Sequence, residues 1–205
     1  MSIDPLDPAR TALLTIDLQN DFLHPEGAYG RAGQTAAAIG ALPGRIAPLA
    51  NALRARGGTY ISAQFTLVPR PDDTPLISAH LRALRPFLGP GDFAPGAWGH
   101  TLVDALAPAD YVIEKVAYSA FYQTRLEFLM RALELDTLIV GGIVTNGGVA
   151  STLRDAHLRD IPTIMLTDGC AAFRDDVHAS TLMSLATVTR QVTCAEALAL
   201  IGDTE

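Results

Sequence analysis

The sequence predicts an α/β protein, a three-layer α/β/α sandwich around a mostly parallel sheet of about six strands. Short apolar runs alternate with segments of helical spacing over almost the whole chain. The runs are continuously apolar, which is typical of parallel strands buried on both faces. With 205 residues, 49% of them hydrophobic, the chain can bury a substantial core. We therefore interpret residues 1–205 as a single domain.

The apolar runs give the order of the strands. The first run, Thr-Ala-Leu-Leu-Thr-Ile, ends abruptly at Asp17, and the sixth is the weakest of the set. In chain order, the predicted strands cover residues 11–16, 59–63, 111–114, 137–140, 164–167 and 189–193.

Alanine and leucine at helical spacing predict helices between these strands. The first is interrupted by Pro43, Gly44 and Pro48 and ends at Gly57-Gly58. In such a Rossmann-like arrangement, ligands bind at the carboxyl ends of the strands, so the residues that follow the strands are the first candidates for a site. The clearest helical patterns cover residues 35–56, 124–135, 148–159 and 176–185.

One segment, residues 65–109, breaks the alternation of strands and helices. It contains seven prolines and four glycines and has little periodicity. A long irregular stretch inside a domain usually serves as a lid, a binding loop or an oligomer contact. We expect this excursion to take one of these roles, and we expect a homo-oligomer, either a dimer or a tetramer.

Charge and composition exclude several classes of partner. The formal net charge is −7 and the arginines are scattered, which argues against nucleic acid and anionic membranes as partners. No apolar run approaches the roughly 18 residues of a membrane helix, and no signal-peptide pattern opens the chain. Two cysteines make no disulfide framework. We therefore expect a cytoplasmic protein that acts on a small molecule.

The sequence gives no sign of a metal or an organic cofactor. The glycines lack the spacing of a dinucleotide fingerprint, and no phosphate-binding Gly-Lys-Ser/Thr motif is present. The histidines show no zinc-ligand spacing, so we expect neither metal nor cofactor. The five histidines are His24, His80, His100, His157 and His178.

Two charged residues end predicted strands. Asp17 follows the first strand, where partial burial would raise its pKa toward values useful in acid–base catalysis, although Asp is also common as a helix cap. Lys115 ends the third strand and would pair with Asp17 if the two strands are neighbours. The alternative is a lysine that extends to solvent.

A glycine-rich segment, residues 141–149, leads from the fourth strand into a helix that begins near Gly148. Its glycines would let backbone amides approach a ligand, and a helix N-terminus favours negative charge. Such a turn suits an oxyanion or a carboxylate, but a plain strand-to-helix turn would look the same.

Together, these elements resemble the isochorismatase-like hydrolase superfamily over nearly the whole chain. Each string alone is weak, but all of them in this order make the resemblance specific. The matching strings are Thr-Ile-Asp-Leu-Gln-Asn-Asp-Phe (15–22), Glu-Lys-Val-Ala-Tyr-Ser-Ala-Phe (114–121), Gly-Gly-Ile-Val-Thr-Asn-Gly-Gly-Val (141–149), Thr-Leu-Arg-Asp-Ala (152–156) and Thr-Asp-Gly-Cys-Ala-Ala-Phe (167–173).

The resemblance implies catalytic positions. Most members hydrolyse amides with an Asp–Lys–Cys triad, whose first two positions match Asp17 and Lys115, whereas the cysteine position is Gly148. It also implies a non-proline cis peptide before Val144, with the amides of Val144 and Gly148 as oxyanion donors. The residues expected to contact substrate are Gln64, Phe22, Tyr118, Val144 and Thr145.

Glycine at the nucleophile position is also found in true isochorismatases, which protonate a vinyl ether and need no nucleophile. Gln64 and the string after Lys115 resemble that branch, whereas Val144-Thr145-Asn146 resembles the cysteine amidases. Arg70 is the candidate for the substrate-binding arginine. Cys170 or Thr145 as a relocated nucleophile stays open.

Three functions follow. The first is an isochorismatase-type hydrolase of a small carboxylated metabolite, with Asp17 as general acid. The second is an amidohydrolase in which Asp17 activates water. The third is a catalytically silent binding protein.

Overall fold

The protein forms one six-stranded sheet in which every neighbouring pair of strands is parallel. The computed structural model describes residues 5–202. The strand order is β3-β2-β1-β4-β5-β6. This confirms the predicted α/β sandwich. The strands are β1 (Thr11–Ile16), β2 (Thr59–Phe65), β3 (Tyr111–Lys115), β4 (Thr137–Ile143), β5 (Thr163–Ala171) and β6 (Arg190–Val192).

The fourth and fifth strands continue beyond their predicted ends. In β4 the chain passes through Gly141 and Gly142, where the register to β5 shifts after Val140. Gly142 has a φ of 118°, and a Cβ there would lie 2.2 Å from the Ile16 carbonyl oxygen. Only glycine permits that close approach, so a residue type that normally interrupts strands is required inside this one.

Helices cover both faces of the sheet. The predicted helix at 35–56 is divided into two, and Pro43 lies in the first turn of the second, where a proline is tolerated. The last helix was not predicted, although Thr193 and Glu196 form a capping box at its start. The helices are α1 (Asn20–Leu23), α2 (Ala28–Arg31), α3 (Ala37–Gly40), α4 (Leu42–Ala55), α5 (Ala79–Leu84), α6 (Leu126–Ala132), α7 (Ala150–His157), α8 (Asp175–Leu185) and α9 (Cys194–Leu200).

Two hydrophobic clusters form the core, one on each face of the sheet. Along β1, Leu13 belongs to the cluster under α4 and α9, whereas Leu14 belongs to the cluster under α6 and α7. Because successive side chains of a strand point to opposite faces, both must be apolar when both faces are covered. This explains why Ala12, Leu13, Leu14 and Ile16 of β1 are all apolar.

The excursion at 65–109 folds onto the domain through a third, smaller cluster around Phe93. The excursion contains α5 and two short 3₁₀ turns. Asp21 ties it down, since its carboxylate accepts hydrogen bonds from the backbone N–H groups of Ala28 (2.9 Å) and Phe93 (2.6 Å). None of the helices between residues 5 and 202 has both the length and the apolar content to cross a membrane.

Candidate active site

Asp17 occupies a special backbone position at the carboxyl end of β1. Its φ is 59°, in the left-handed region that aspartate and asparagine adopt more readily than most residues. Its backbone N–H donates to the Ala63 carbonyl at 2.9 Å, which keeps the chain alongside β2. The side chain is therefore buried at the edge of the sheet where ligands are expected.

Lys115 forms a buried ion pair with Asp17. Its Nζ donates to Asp17 Oδ2 at 2.8 Å and to the Ala117 carbonyl at 3.2 Å. The two strands are not neighbours, because β2 lies between them, so the long lysine side chain spans the gap. Its ammonium lies 5.6 Å from the centre of the Phe65 ring at the end of β2.

The environment of Asp17 favours its protonated form. Burial raises the pKa of the carboxyl group above its ordinary value, and the positive charge of Lys115 opposes that shift only in part. Asp17 Oδ1 is buried and has no hydrogen-bond partner among the described residues. One oxygen of the carboxyl group is thus held by lysine, while the other is buried without a side-chain partner.

The segment after β4 brings Gly148 to this pair. The Ile143–Val144 peptide bond is cis, and a π-helical turn at Thr145–Val149 leads into α7, so helical structure starts before the predicted residue 148. A Cβ on Gly148 would lie 3.3 Å from Asp17 Oδ2 and 2.8 Å from Ile16 Cγ2. A side chain at position 148 would therefore point at the carboxylate and would be crowded by a methyl group.

These residues line a small chamber of about 50 Å³. Aromatic rings make up much of the wall, and the Tyr29 and Phe173 rings stack with centroids 5.7 Å apart. The lining residues are Asp17, Phe22, Tyr29, Phe65, Leu81, Arg85, Lys115, Tyr118, Val144, Gly148 and Phe173.

Two expected substrate contacts do not line the chamber. Gln64 lies on β2, is buried and is not part of the chamber wall, whereas Phe22, Tyr118 and Val144 contribute to it. Thr145 is fully buried, and its Oγ1 is 2.8 Å from Nδ1 of His178 on α8. The threonine hydroxyl is therefore held by a helix behind the turn.

Cys170 also lies outside the chamber. It is buried in β5, with its Sγ 3.7 Å from the Val140 carbonyl oxygen, and burial raises the pKa of its thiol well above the ordinary value. A thiol that is inaccessible and remains protonated is a poor nucleophile.

Sequence reasoning missed Arg85, which comes just after α5 and lines the chamber. The sequence pointed to Arg70, but that guanidinium donates to the Pro75 carbonyl at 2.7 Å within its own loop and is not part of the wall. Nothing local distinguishes the two arginines, because both lie in the proline-rich excursion and each directly precedes a proline. Between residues 5 and 202, no group of three or more His, Cys, Asp or Glu side chains is arranged to hold a metal ion.

A family model describing the isochorismatase domain matches residues 11–197. The chain belongs to the isochorismatase family. It is an isochorismatase-like hydrolase, and the sheet edge that carries Asp17, Lys115 and Gly148 lies within the matched region.

Individual proteins are similar to this chain in sequence or in structure. The chain is 34% identical over 196 residues to the ureidoacrylate amidohydrolase RutB of Methylobacterium radiotolerans, covering 89% of this chain and 75% of that enzyme. A cysteine hydrolase from Pseudomonas syringae pv. phaseolicola has a TM-score of 0.83 at 29% identity, covering 96% of this chain and 94% of that chain. An isochorismatase family protein from Desulfovibrio vulgaris has a TM-score of 0.76 at 28% identity, covering 91% and 95%.

Proposed function

We propose that this hydrolase cleaves a small carboxylated metabolite with Asp17 as general acid and without a covalent enzyme intermediate. The observation that carries the proposal is the Asp17–Lys115 pair facing Gly148, which has no side chain. A buried carboxyl group with a raised pKa and one unengaged oxygen has the properties of a proton donor. Neither Thr145 nor Cys170 lines the chamber, which supports a route without a nucleophile.

Such a donor suits the hydrolysis of an enol ether. Asp17 transfers its proton to the terminal alkene carbon, and the C=C electrons form the new C–H bond, leaving an oxocarbenium ion. Water adds to the cationic carbon and returns a proton to the Asp17 carboxylate. The resulting hemiketal loses its alcohol and becomes a ketone. Aromatic faces such as those of Phe65 and Phe22 stabilise a developing cation.

Lys115 has a positioning role in this scheme. Its ammonium holds Oδ2 at 2.8 Å and so fixes the orientation of the carboxyl group beside Gly148. Because Lys115 lowers the pKa of Asp17 against the effect of burial, it also allows the carboxylate to form after proton transfer. The cycle needs both forms of the carboxyl group.

Amide hydrolysis is the second candidate, and the 34% identity to an enzyme named ureidoacrylate amidohydrolase favours it. Here an ionised Asp17 takes a proton from water, which adds to the amide carbonyl. The amides of Val144 and Gly148 would hold the oxyanion, and the proton would leave with the amine. A catalytically silent binding protein has less support, because the chain retains the buried ion pair.

The substrate screen that separates these candidates pairs enol ethers of pyruvate with 3-ureidoacrylate and other small amides. Release of pyruvate supports the general-acid route, and release of ammonia supports the second candidate. Asp17→Asn serves as the control in both arms and should be inactive. Turnover that survives in this variant would overturn any role for Asp17.

Location and assembly are further parts of this proposal. The buried free thiols of Cys170 and Cys194 fit a reducing compartment such as the cytoplasm. For a homo-oligomer, the edge strand β3 offers the exposed side chains of Tyr111 and Val112. Light scattering coupled to size exclusion would give the oligomeric state, and a monomer at micromolar concentration would overturn that part.

A further inference from the structure

The side chain of Gln19 takes the place of a neighbouring strand at the end of β2. The Asp17 N–H donates to the Ala63 carbonyl at 2.9 Å, so in a regular parallel ladder the Asp17 carbonyl would accept the N–H of Phe65. The chain turns away at Asp17, whose φ is 59°, and this ladder bond is not formed. The Phe65 N–H donates instead to Gln19 Oε1 at 2.7 Å.

Two further hydrogen bonds fix the orientation of the Gln19 carboxamide. Its Nε2 donates to the Phe65 carbonyl at 3.0 Å and to the His100 carbonyl at 2.9 Å, and the side chain is fully buried. A flipped amide would set its oxygen against two carbonyl oxygens, so Oε1 has to face the Phe65 N–H. One side chain thus holds the beginning of the excursion and a point near its end.

The same Phe65 N–H acts on Asp17. Burial raises the pKa of Asp17, and Lys115 opposes that shift by its charge and then by its hydrogen bond. The Phe65 N–H and the charge of Arg85 also lower this pKa. Asp17 Oδ1 is nevertheless buried without a hydrogen-bond partner among residues 5–202. A backbone N–H that donated fully to this oxygen would stabilise the ionised carboxylate.

We propose that Gln19 is a positioning residue of the active site: by accepting the Phe65 N–H, it withholds from the Asp17 carboxyl group a donor that would favour ionisation. Gln19 is not part of the chamber wall, whereas Phe65 is, so Gln19 acts on Asp17 only through Phe65. The inference rests on the proposed function, in which Asp17 has to keep its proton until the substrate is bound.

The test is the titration of the Asp17 carboxyl carbon, followed by NMR, and it requires no substrate. The signal is assigned by its loss in Asp17→Asn. Gln19→Met keeps the length of the side chain and removes the amide, so the Phe65 N–H is released toward Asp17. The midpoint of the Asp17 titration should therefore move to lower pH than in wild type.

Asn20→Ala is the matched control for a loosened excursion. Asn20 is buried beside Gln19, and its Nδ2 donates to the Trp98 carbonyl at 3.1 Å. The asparagine therefore holds the same excursion, and none of its side-chain hydrogen bonds goes to Phe65. The Asp17 midpoint should stay at its wild-type value in this variant.

Two results would overturn the proposal: a midpoint in Gln19→Met that is not lowered, or an equal shift in Asn20→Ala. If Gln19→Met fails to fold, wild type decides the matter through the coupling across the hydrogen bond between the Phe65 amide nitrogen and the Gln19 side-chain carbonyl carbon. This coupling should persist above the Asp17 midpoint, and its loss there would mean that the ionised carboxylate takes the N–H. A lowered midpoint in Gln19→Met without hydrolysis of any substrate by wild type would refute the proposed function and leave the effect of Gln19 on Asp17 standing.

Discussion

Lys115 Nζ lies 2.8 Å from Asp17 Oδ2, and both side chains are buried. The residues are 98 positions apart in sequence and belong to strands separated by β2. Breaking a buried ion pair by removing one partner typically costs about 3–5 kcal/mol, because a charge is left uncompensated. The pair is therefore a structural element of the sheet edge, at the place where the proposed chemistry would occur.

Replacing Asp17 by Asn should abolish activity on any substrate found. Asparagine tolerates the left-handed backbone at this position, so the change removes the acid without straining the turn. Loss of a general acid lowers kcat/KM by roughly 10²–10⁴-fold. Steady-state kinetics measure the effect, with Asp155→Asn, a partly exposed aspartate outside the chamber, as the control. Wild-type turnover in the Asp17 variant would refute the assignment.

Replacing Lys115 by Met should make stability more dependent on pH. Lys115 lowers the pKa of Asp17, so its loss raises a folded-state pKa that burial has already raised. Between the ordinary pKa of aspartate and this raised value, the folded protein keeps a proton that the unfolded chain has released. The free energy of unfolding therefore falls as pH rises through this range. Urea unfolding at pH 5 and pH 8 should show a larger decrease than in wild type. If the double variant Lys115→Met/Asp17→Asn loses as much unfolding free energy between pH 5 and pH 8, a group other than Asp17 is responsible.

Replacing Gly148 by Ala should destabilise the protein through Ile16. The added Cβ would lie 2.8 Å from Ile16 Cγ2, an overlap that costs about 1–3 kcal/mol in a packed core. Removing that methyl in Ile16→Ala/Gly148→Ala should relieve part of the cost. Chemical denaturation of the wild type, the two single variants and the double variant gives the coupling energy. Strictly additive effects would show that the two side chains do not meet. The same overlap predicts that Gly148→Cys alone does not create a cysteine amidase.

Cys170→Ser should leave activity nearly intact. The thiol is buried in β5, outside the chamber, and a serine hydroxyl can still donate to the Val140 carbonyl. Steady-state kinetics of the variant check this expectation. In addition, iodoacetamide should not inactivate the wild type. Loss of turnover in the serine variant, with unfolding unchanged, would mean that the nucleophile has moved to Cys170.

The fold could be predicted from sequence because continuous apolar strands and helical spacing are local signals. Asp17 and Lys115 could be located because each ends such a strand. The predicted ends of β4 and β5 were too early, since Gly142 and Asp168 interrupt the apolar pattern without interrupting the strand. The contribution of the excursion to the chamber wall, above all that of Arg85, could not be predicted from the sequence. Arg85 reaches the chamber through contacts with Tyr29 and Tyr118, which no spacing along the chain encodes.

The dependence of kcat/KM on pH tests the central claim most directly. If Asp17 is a general acid, activity requires its protonated form, whose pKa burial has raised above the ordinary value. With a substrate that stays ionised between pH 5 and 9, we predict that kcat/KM falls steadily as pH rises, and that the decline shifts to higher pH in Arg85→Gln. A rise of kcat/KM with pH would contradict the role of Asp17 as a general acid, because it would make Asp17 a base.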